Sequence, residues 1–235
     1  MSMINLFPES FNIIDLTHTI NETTSVWDGS CGFSSELIDD YKNFGFRAQK
    51  YTMRSCLGTH LDSPAHCNEG STDCASIKIE NCIVQTYVID LTSKAHEDYC
   101  ISVDDIQQFE NSYEKIKEGS LVFFSTGWAK RWNDPILFRN VKDDGIPHFP
   151  FVSPDVAKLL LDRNVVGIGI DTFSPDPIIS DAPVHRLLLG AGKYIIESVA
   201  NLENMPPINS YAIALPLKIS GAVESPIRLI GLVSK

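Results

Sequence analysis

Hydrophobic positions along the chain fall into short runs separated by polar stretches bearing glycine or proline, a pattern of many strands and few helices. Cys82 to Leu91 (CIVQTYVIDL) is apolar and β-branched, as strands are. Leu121 to Phe124 predicts a second, buried strand ending at Gly127, and Val165 to Asp171 (VVGIGID) a third, whose glycines invite close approach of another backbone. Asn12 to Thr17, Arg47 to Arg54, Tyr194 to Glu197, Tyr211 to Ile219 and Pro226 to Val233 complete the strand candidates. Ser102 followed by Asp104 and Asp105 predicts a helix start, because serine caps and acids in the first turn oppose the helix dipole. Ser153-Pro154 predicts another, with Val156, Leu159 and Leu160 as its apolar stripe, and His185 to Gly190 reads as a helical turn closed by glycine. Thr24 to Gly32 and the proline-bearing Asp134 to Pro150 predict loops. About seven or eight strands with few helices imply an α/β or α+β fold, with a large mixed sheet or barrel-like core.

Composition narrows this further. A chain of 235 residues with 43% hydrophobic residues can bury a large core and fits one domain over 1–235. The net charge of -11, with no basic run or stripe, argues against nucleic acid or an anionic membrane as partner. No segment approaches about twenty apolar residues, and Met1-Ser2-Met3-Ile4-Asn5 lacks a basic region followed by an apolar run, so a cytoplasmic location is expected. Six cysteines confined to the first half, without a C-x-x-C pair, are expected as reduced thiols.

The candidate chemistry concentrates in Cys56-Leu57-Gly58-Thr59-His60-Leu61-Asp62-Ser63-Pro64-Ala65-His66. Residues of equal parity share a face of an extended chain, so His60 and Asp62 point the same way and can grip one cation. Cys56 lies four residues before His60, and a straight strand would hold its Cα about 13 Å away. Sharing an ion requires a bend, which Gly58 permits. Pro64 ends regular pairing before His66, leaving a metal site followed by a separate base. Taken alone, His185, Glu197, Asp171 and Asp176 are more often structural. No G-x-S-x-G elbow supports a serine-hydrolase mechanism.

Read with G-I-D-T-F-S-P-D-P, H-R-L-L-L-G and A-L-P-L-K-I-S-G-A-V-E-S-P-I-R, the motif C-L-G-T-H-L-D-S-P-A-H resembles the cyclase superfamily of metal-dependent hydrolases. That family includes bacterial kynurenine formamidases and isatin hydrolases. The resemblance implies a swivelling β/β/α domain, assembled as a homodimer or homotetramer, around the motif H-x-x-x-H-x-D-x-x-x-H. Carried over by position, His60 and Asp62 are metal ligands and His66 is the catalytic base, while Cys56 stands where the family usually has histidine. His185 and Glu197 resemble the residues that complete a second metal site, and isatin-hydrolase-like members lose that glutamate and use one ion. Trp27 resembles an aromatic that packs over substrate, although Asp28 departs from the usual Trp-Pro.

The implied cofactor is zinc, as two ions, with manganese as the alternative. The implied reaction is hydrolysis of a small amide, an arylformamide such as N-formylkynurenine or a cyclic amide. Metal-bound hydroxide attacks, and His66 acts as general acid and base. The alternative is a metal- or small-molecule-binding module with little turnover, for which Cys56 is the best argument. As a ligand, a Cys56 thiolate predicts a stronger preference for zinc. The competing reading is a small cysteine turned away from the site.

Overall fold

The computed structural model describes residues 10–24 and 26–234; Met1 to Asn5 lie outside them. Among the described residues the strands are β1 (Phe11–Asp15), β2 (Phe33–Asp39), β3 (Ala48–Met53), β4 (His60–Asp62), β5 (Ile83–Asp90), β6 (Cys100–Ile101), β7 (Leu121–Ser125), β8 (Phe151–Val152), β9 (Gly167–Ile170), β10 (Tyr194–Glu197), β11 (Ser210–Ile213), β12 (Glu224–Pro226) and β13 (Ile230–Ser234). The helices are α1 (Tyr41–Phe44), α2 (Val103–Ser112), α3 (Pro135–Arg139), α4 (Pro154–Asp162) and α5 (Pro183–Gly190).

Nine strands form one sheet in the order β1-β13-β11-β5-β7-β9-β10-β4-β12. It is parallel from β5 to β10 and antiparallel on both flanks. β12 lies at one edge and β13 beside the other, yet only Ile227, Arg228 and Leu229 separate them in sequence. In a flat sheet seven strand spacings would hold them about 34 Å apart, whereas four residue steps reach about 14 Å. The sheet therefore curls into a half-barrel. Thr59 ties the seam: its hydroxyl donates to the Ser198 carbonyl at 2.6 Å and accepts from the His18 N–H at 3.0 Å, and its carbonyl accepts from Ile227 N at 3.0 Å.

Strand alternation divides the core in two. Tyr87 and Ile89 of β5, Val122 and Phe124 of β7, and Ile168 and Ile170 of β9 face α2, α4 and α5 through Ile106, Phe109, Val156, Leu160 and Leu188. Val84, Val88, Leu121, Phe123, Tyr194 and Ile196 point to the other face and pack with Leu16, Leu61 and Leu229. Gly167 and Gly169 lie on that second face because a Cβ would collide with the Tyr194 carbonyl at the first and the Phe123 ring at the second. The helix starts follow the sequence. Ser102 Oγ accepts from Asp105 N at 3.4 Å while Asp105 accepts from Ser102 N at 2.8 Å, and Ser153 Oγ accepts from Val156 N at 3.3 Å. Each such cap contributes about 1 kcal/mol.

Four readings need correction. Asp134 to Pro150 is not all loop: Asp134 accepts from Ile136 N and Leu137 N at 3.0 and 3.1 Å and starts α3 with proline in its first turn. The strand expected over Tyr211 to Ile219 stops at Ile213, and Pro226 to Val233 divides into the end of β12 and β13. β2, unanticipated from sequence, pairs with β3 in a separate ribbon. That ribbon and α1 leave Leu37, Ile38, Phe44 and Tyr51 exposed, which removes the apolar alternation by which a half-buried strand is read. Among the described residues no helix is long and apolar enough to cross a membrane.

Candidate metal centre

β4 lies between β10 and β12, and its register builds the site. Leu61, fully buried, packs with Ile196 on one face. A one-residue slip would carry that leucine to the polar face, losing about 1.5–3 kcal/mol of burial, so the register is fixed. His60 and Asp62 therefore share the opposite face. Directly paired antiparallel residues also share a face: β10 sets Glu197 across from His60, and β12 sets Glu224 across from Asp62. Gly58, at φ 63°, turns the chain into β4, and its carbonyl lies 2.8 Å from His60 Nδ1.

α5 delivers His185 from above the sheet's helical face. Ala182 precedes the helix without a side-chain cap, and Asp176 supplies one from a distance, accepting from Val184 N and His185 N at 2.9 Å each. The same carboxylate lies 2.8 Å from His185 Nδ1. A carbonyl and a carboxylate can only accept here, so both histidines carry a proton on Nδ1 and turn Nε2 inward. Oriented in this way by a carbonyl or carboxylate, an imidazole is set up as a metal ligand.

Those Nε2 atoms meet carboxylates. His60 Nε2 is 3.5 Å from Asp62 Oδ1 and 3.3 Å from Glu197 Oε2; His185 Nε2 is 3.5 Å from Asp62 Oδ2 and 3.3 Å from Glu197 Oε1. Both Asp62 oxygens and Glu197 Oε1 are buried and accept no hydrogen bond. Burying such unpaired oxygens is costly. Ligand atoms about 2.0–2.2 Å from a tetrahedral ion lie about 3.3–3.6 Å apart, the spacing seen here. The residues fit divalent metal in two groups that share Asp62: Asp62, His185 and Glu197, and His60, Asp62 and Glu224, each with donor atoms within 4.8 Å of one another.

Without a cation the groups compensate one another. Burial disfavours the charged His60 ring, yet contact with Glu197 and the charge of Asp62 outweigh it and raise its pKa to about 9. Burial likewise works against His185, but Asp176, Asp62 and Glu197 hold its pKa well above the ordinary value. Burial also opposes the Asp62 charge, and His185 and His60 nonetheless keep its carboxyl below the usual range.

Trp27, Cys56, His66 and Asp176 line the same cavity of about 320 Å³. His66 sits on the turn Pro64–His66 against α5, with Nδ1 3.6 Å from Glu224 Oε1 and its ring 5.9 Å from that of His185. Trp27 lines the mouth at 53% exposure, and the adjoining loop is held by Arg54, which reaches Asp28 at 2.5 Å and Ser30 at 3.0 Å. Cys56 lines the cavity, half-buried, but its sulfur belongs to neither donor group. Burial, with Glu224 adding, pushes its thiol up to about 11. Asp171 lies away from the cavity, accepting from Thr126 N, Thr126 Oγ1 and Trp128 N. Glu224 is the residue that sequence reading missed. Its signal was a single acid between Val223 and Ser225-Pro226, and only strand pairing brings it to Asp62.

Comparison with known proteins bears on the family and the fold. Residues 14–177 match the family described as "Putative cyclase". Isatin hydrolase of Roseibium aggregatum is 34% identical over 191 residues, covering 76% of this chain and 72% of that protein. Kynurenine formamidase of Bacillus cytotoxicus is 28% identical over 219 residues, covering 92% and 95%. Among solved structures, isatin hydrolase A from Ralstonia solanacearum superposes with a TM-score of 0.88 at 29% identity, covering 95% of this chain and 92% of that one. A predicted metal-dependent hydrolase from Bacillus stearothermophilus gives 0.75 at 26% identity, covering 95% and 98%. The family match takes in β4 and extends to the loop that holds Asp176, and the half-barrel superposes along nearly its whole length: the chain belongs to the Cyclase family.

Proposed function

We propose that the chain is a metal-dependent hydrolase of a small amide, either an arylformamide such as N-formylkynurenine or a cyclic amide such as isatin. One observation carries the reading: the Nε2 atoms of two imidazoles face three buried carboxylate oxygens that accept no hydrogen bond, beside a solvent-open imidazole at His66. The two donor groups support two ions, proposed as zinc with manganese as the alternative. Divalent ions held there supply Lewis acidity toward a carbonyl and acidify water.

His66 stands outside both donor groups, where its ring can take a proton from attacking water and deliver it to the departing nitrogen. An amide nitrogen leaves poorly unless protonated, so the proton that His66 can deliver assists its departure. Trp27, Phe173 and Ile178 give the cavity an apolar wall suited to an aryl ring. The reading includes a cytoplasmic homodimer or homotetramer, supported by six unpaired cysteines and by the exposed apolar residues of the β2–β3 ribbon.

The test is His66→Ala, assayed against N-formylkynurenine, isatin and simple esters with bound metal counted in parallel. Hydrolysis is expected to fall about 10²–10⁴-fold with metal retained. A loss under about tenfold removes His66 from the chemistry. A wild-type protein that binds metal and turns over none of these substrates favours a binding module instead.

A further inference from the structure

We propose that Glu224 is a metal ligand, completing one position with His60 and Asp62, and that Cys56, which holds the family's histidine place in the motif, is not a ligand. This deepens the hydrolase reading and rests on its metal centre.

Strand register supplies the first argument. Glu224 pairs with Asp62 across β12 and β4 on the face that carries His60, and donor atoms of the three lie within 4.8 Å of one another. Asp62 is 1% exposed, its two oxygens lack a hydrogen bond and each lies 3.5 Å from an imidazole Nε2, so each side of the carboxylate offers a place for a cation, and His185 with Glu197 account for one side only. Glu224 is positioned for the other. Ser55 Oγ donates to its Oε2 at 2.6 Å, leaving Oε1 to the cavity, 3.6 Å from His66 Nδ1.

The bend at Gly58 does not bring the Cys56 sulfur into the donor group. Chain connectivity explains why. Ser55, next to Cys56, is committed to Glu224, which places the carboxylate rather than the thiol beside Asp62. The resulting set of one imidazole and two carboxylates is harder than a set with thiolate, so manganese should compete with zinc better than a cysteine ligand would allow.

The test counts metal independently of turnover. Purified wild type, Glu224→Gln and Cys56→Ala are dialysed against zinc alone or manganese alone and analysed by mass spectrometry for bound metal, with circular dichroism to verify folding. Wild type and Cys56→Ala should hold about two equivalents with unchanged affinity. Glu224→Gln should hold about one, or bind the second at least about tenfold more weakly. Cobalt-loaded wild type, which requires no variant to fold, should lack the near-ultraviolet thiolate-to-cobalt charge-transfer band. Undiminished uptake by Glu224→Gln overturns the proposal, as does loss of an equivalent in Cys56→Ala or a thiolate band in the cobalt protein. Absence of all metal uptake sinks this assignment and the metal-dependent reading together. The expected stoichiometries without turnover sink only the hydrolase reading.

Discussion

Two histidine environments in this protein, one half-buried and one fully buried, have opposite electrostatics. His18 stacks on Trp132 at 4.1 Å and 9°, with Phe138 edge-on at 6.5 Å, and its Nε2 is buried without a partner. Burial alone acts on it and pulls its pKa down to about 4. His60 is more deeply buried, yet Glu197 and Asp62 beside it reverse the outcome. An imidazole among aromatic rings is stable as a neutral packing element. An imidazole facing carboxylates that accept no hydrogen bond belongs to a cluster suited to a cation. Burial and residue type therefore do not identify a functional histidine; the group opposite its free nitrogen does.

Chelation should separate the two environments most strongly. Removing bound metal should abolish turnover and lower stability by about 5 kcal/mol if two ions are each held at about 100-fold over their Kd, a fall in Tm of about 10–20 °C. Calorimetry before and after chelation, with zinc added back, measures this. An unchanged Tm would mean that the carboxylates are satisfied without metal. Next in size, Glu197→Gln should reduce bound zinc from about two equivalents to about one, because it removes a donor from the Asp62, His185 and Glu197 group. Two persistent equivalents would dismiss Glu197 as a necessary ligand.

The aromatic environment has its own pH signature. The folded pKa of His18 lies below its ordinary 6.5, so the unfolded chain takes up the proton first, and stability is lost as pH falls from 6.5 toward about 4. His18→Phe should recover up to about 3 kcal/mol of that acid-side loss relative to wild type, read from urea midpoints at about pH 7.5 and about pH 4.5. An identical pH dependence in both proteins would show that His18 titrates normally. The smallest effect is expected at Gly58, where φ is 63° and a Cβ would stand 3.1 Å from Ile20 Cγ1. Gly58→Ala should cost about 1–2 kcal/mol in urea unfolding with both metal equivalents retained.

The sequence by itself determined the central strands, two of the helices and the near half of the site. Periodicity located β5, β7, β9 and β10, and the Ser102 and Ser153 caps located α2 and α4, because strand alternation and capping act within a few residues. Parity put His60 and Asp62 on one face for the same reason. Resemblance, not spacing, assigned His185 and Glu197, since nothing local relates α5 to the last residue of β10. Tertiary structure alone decided the rest. It curled the sheet through the short link between β12 and β13, oriented His185 through Asp176, and brought the Glu224 carboxylate within reach of His60 and Asp62. These outcomes depend on which strands pair and in what register, a choice fixed by burial of Leu61, Ile196 and their neighbours across the whole sheet and by no local run of residues.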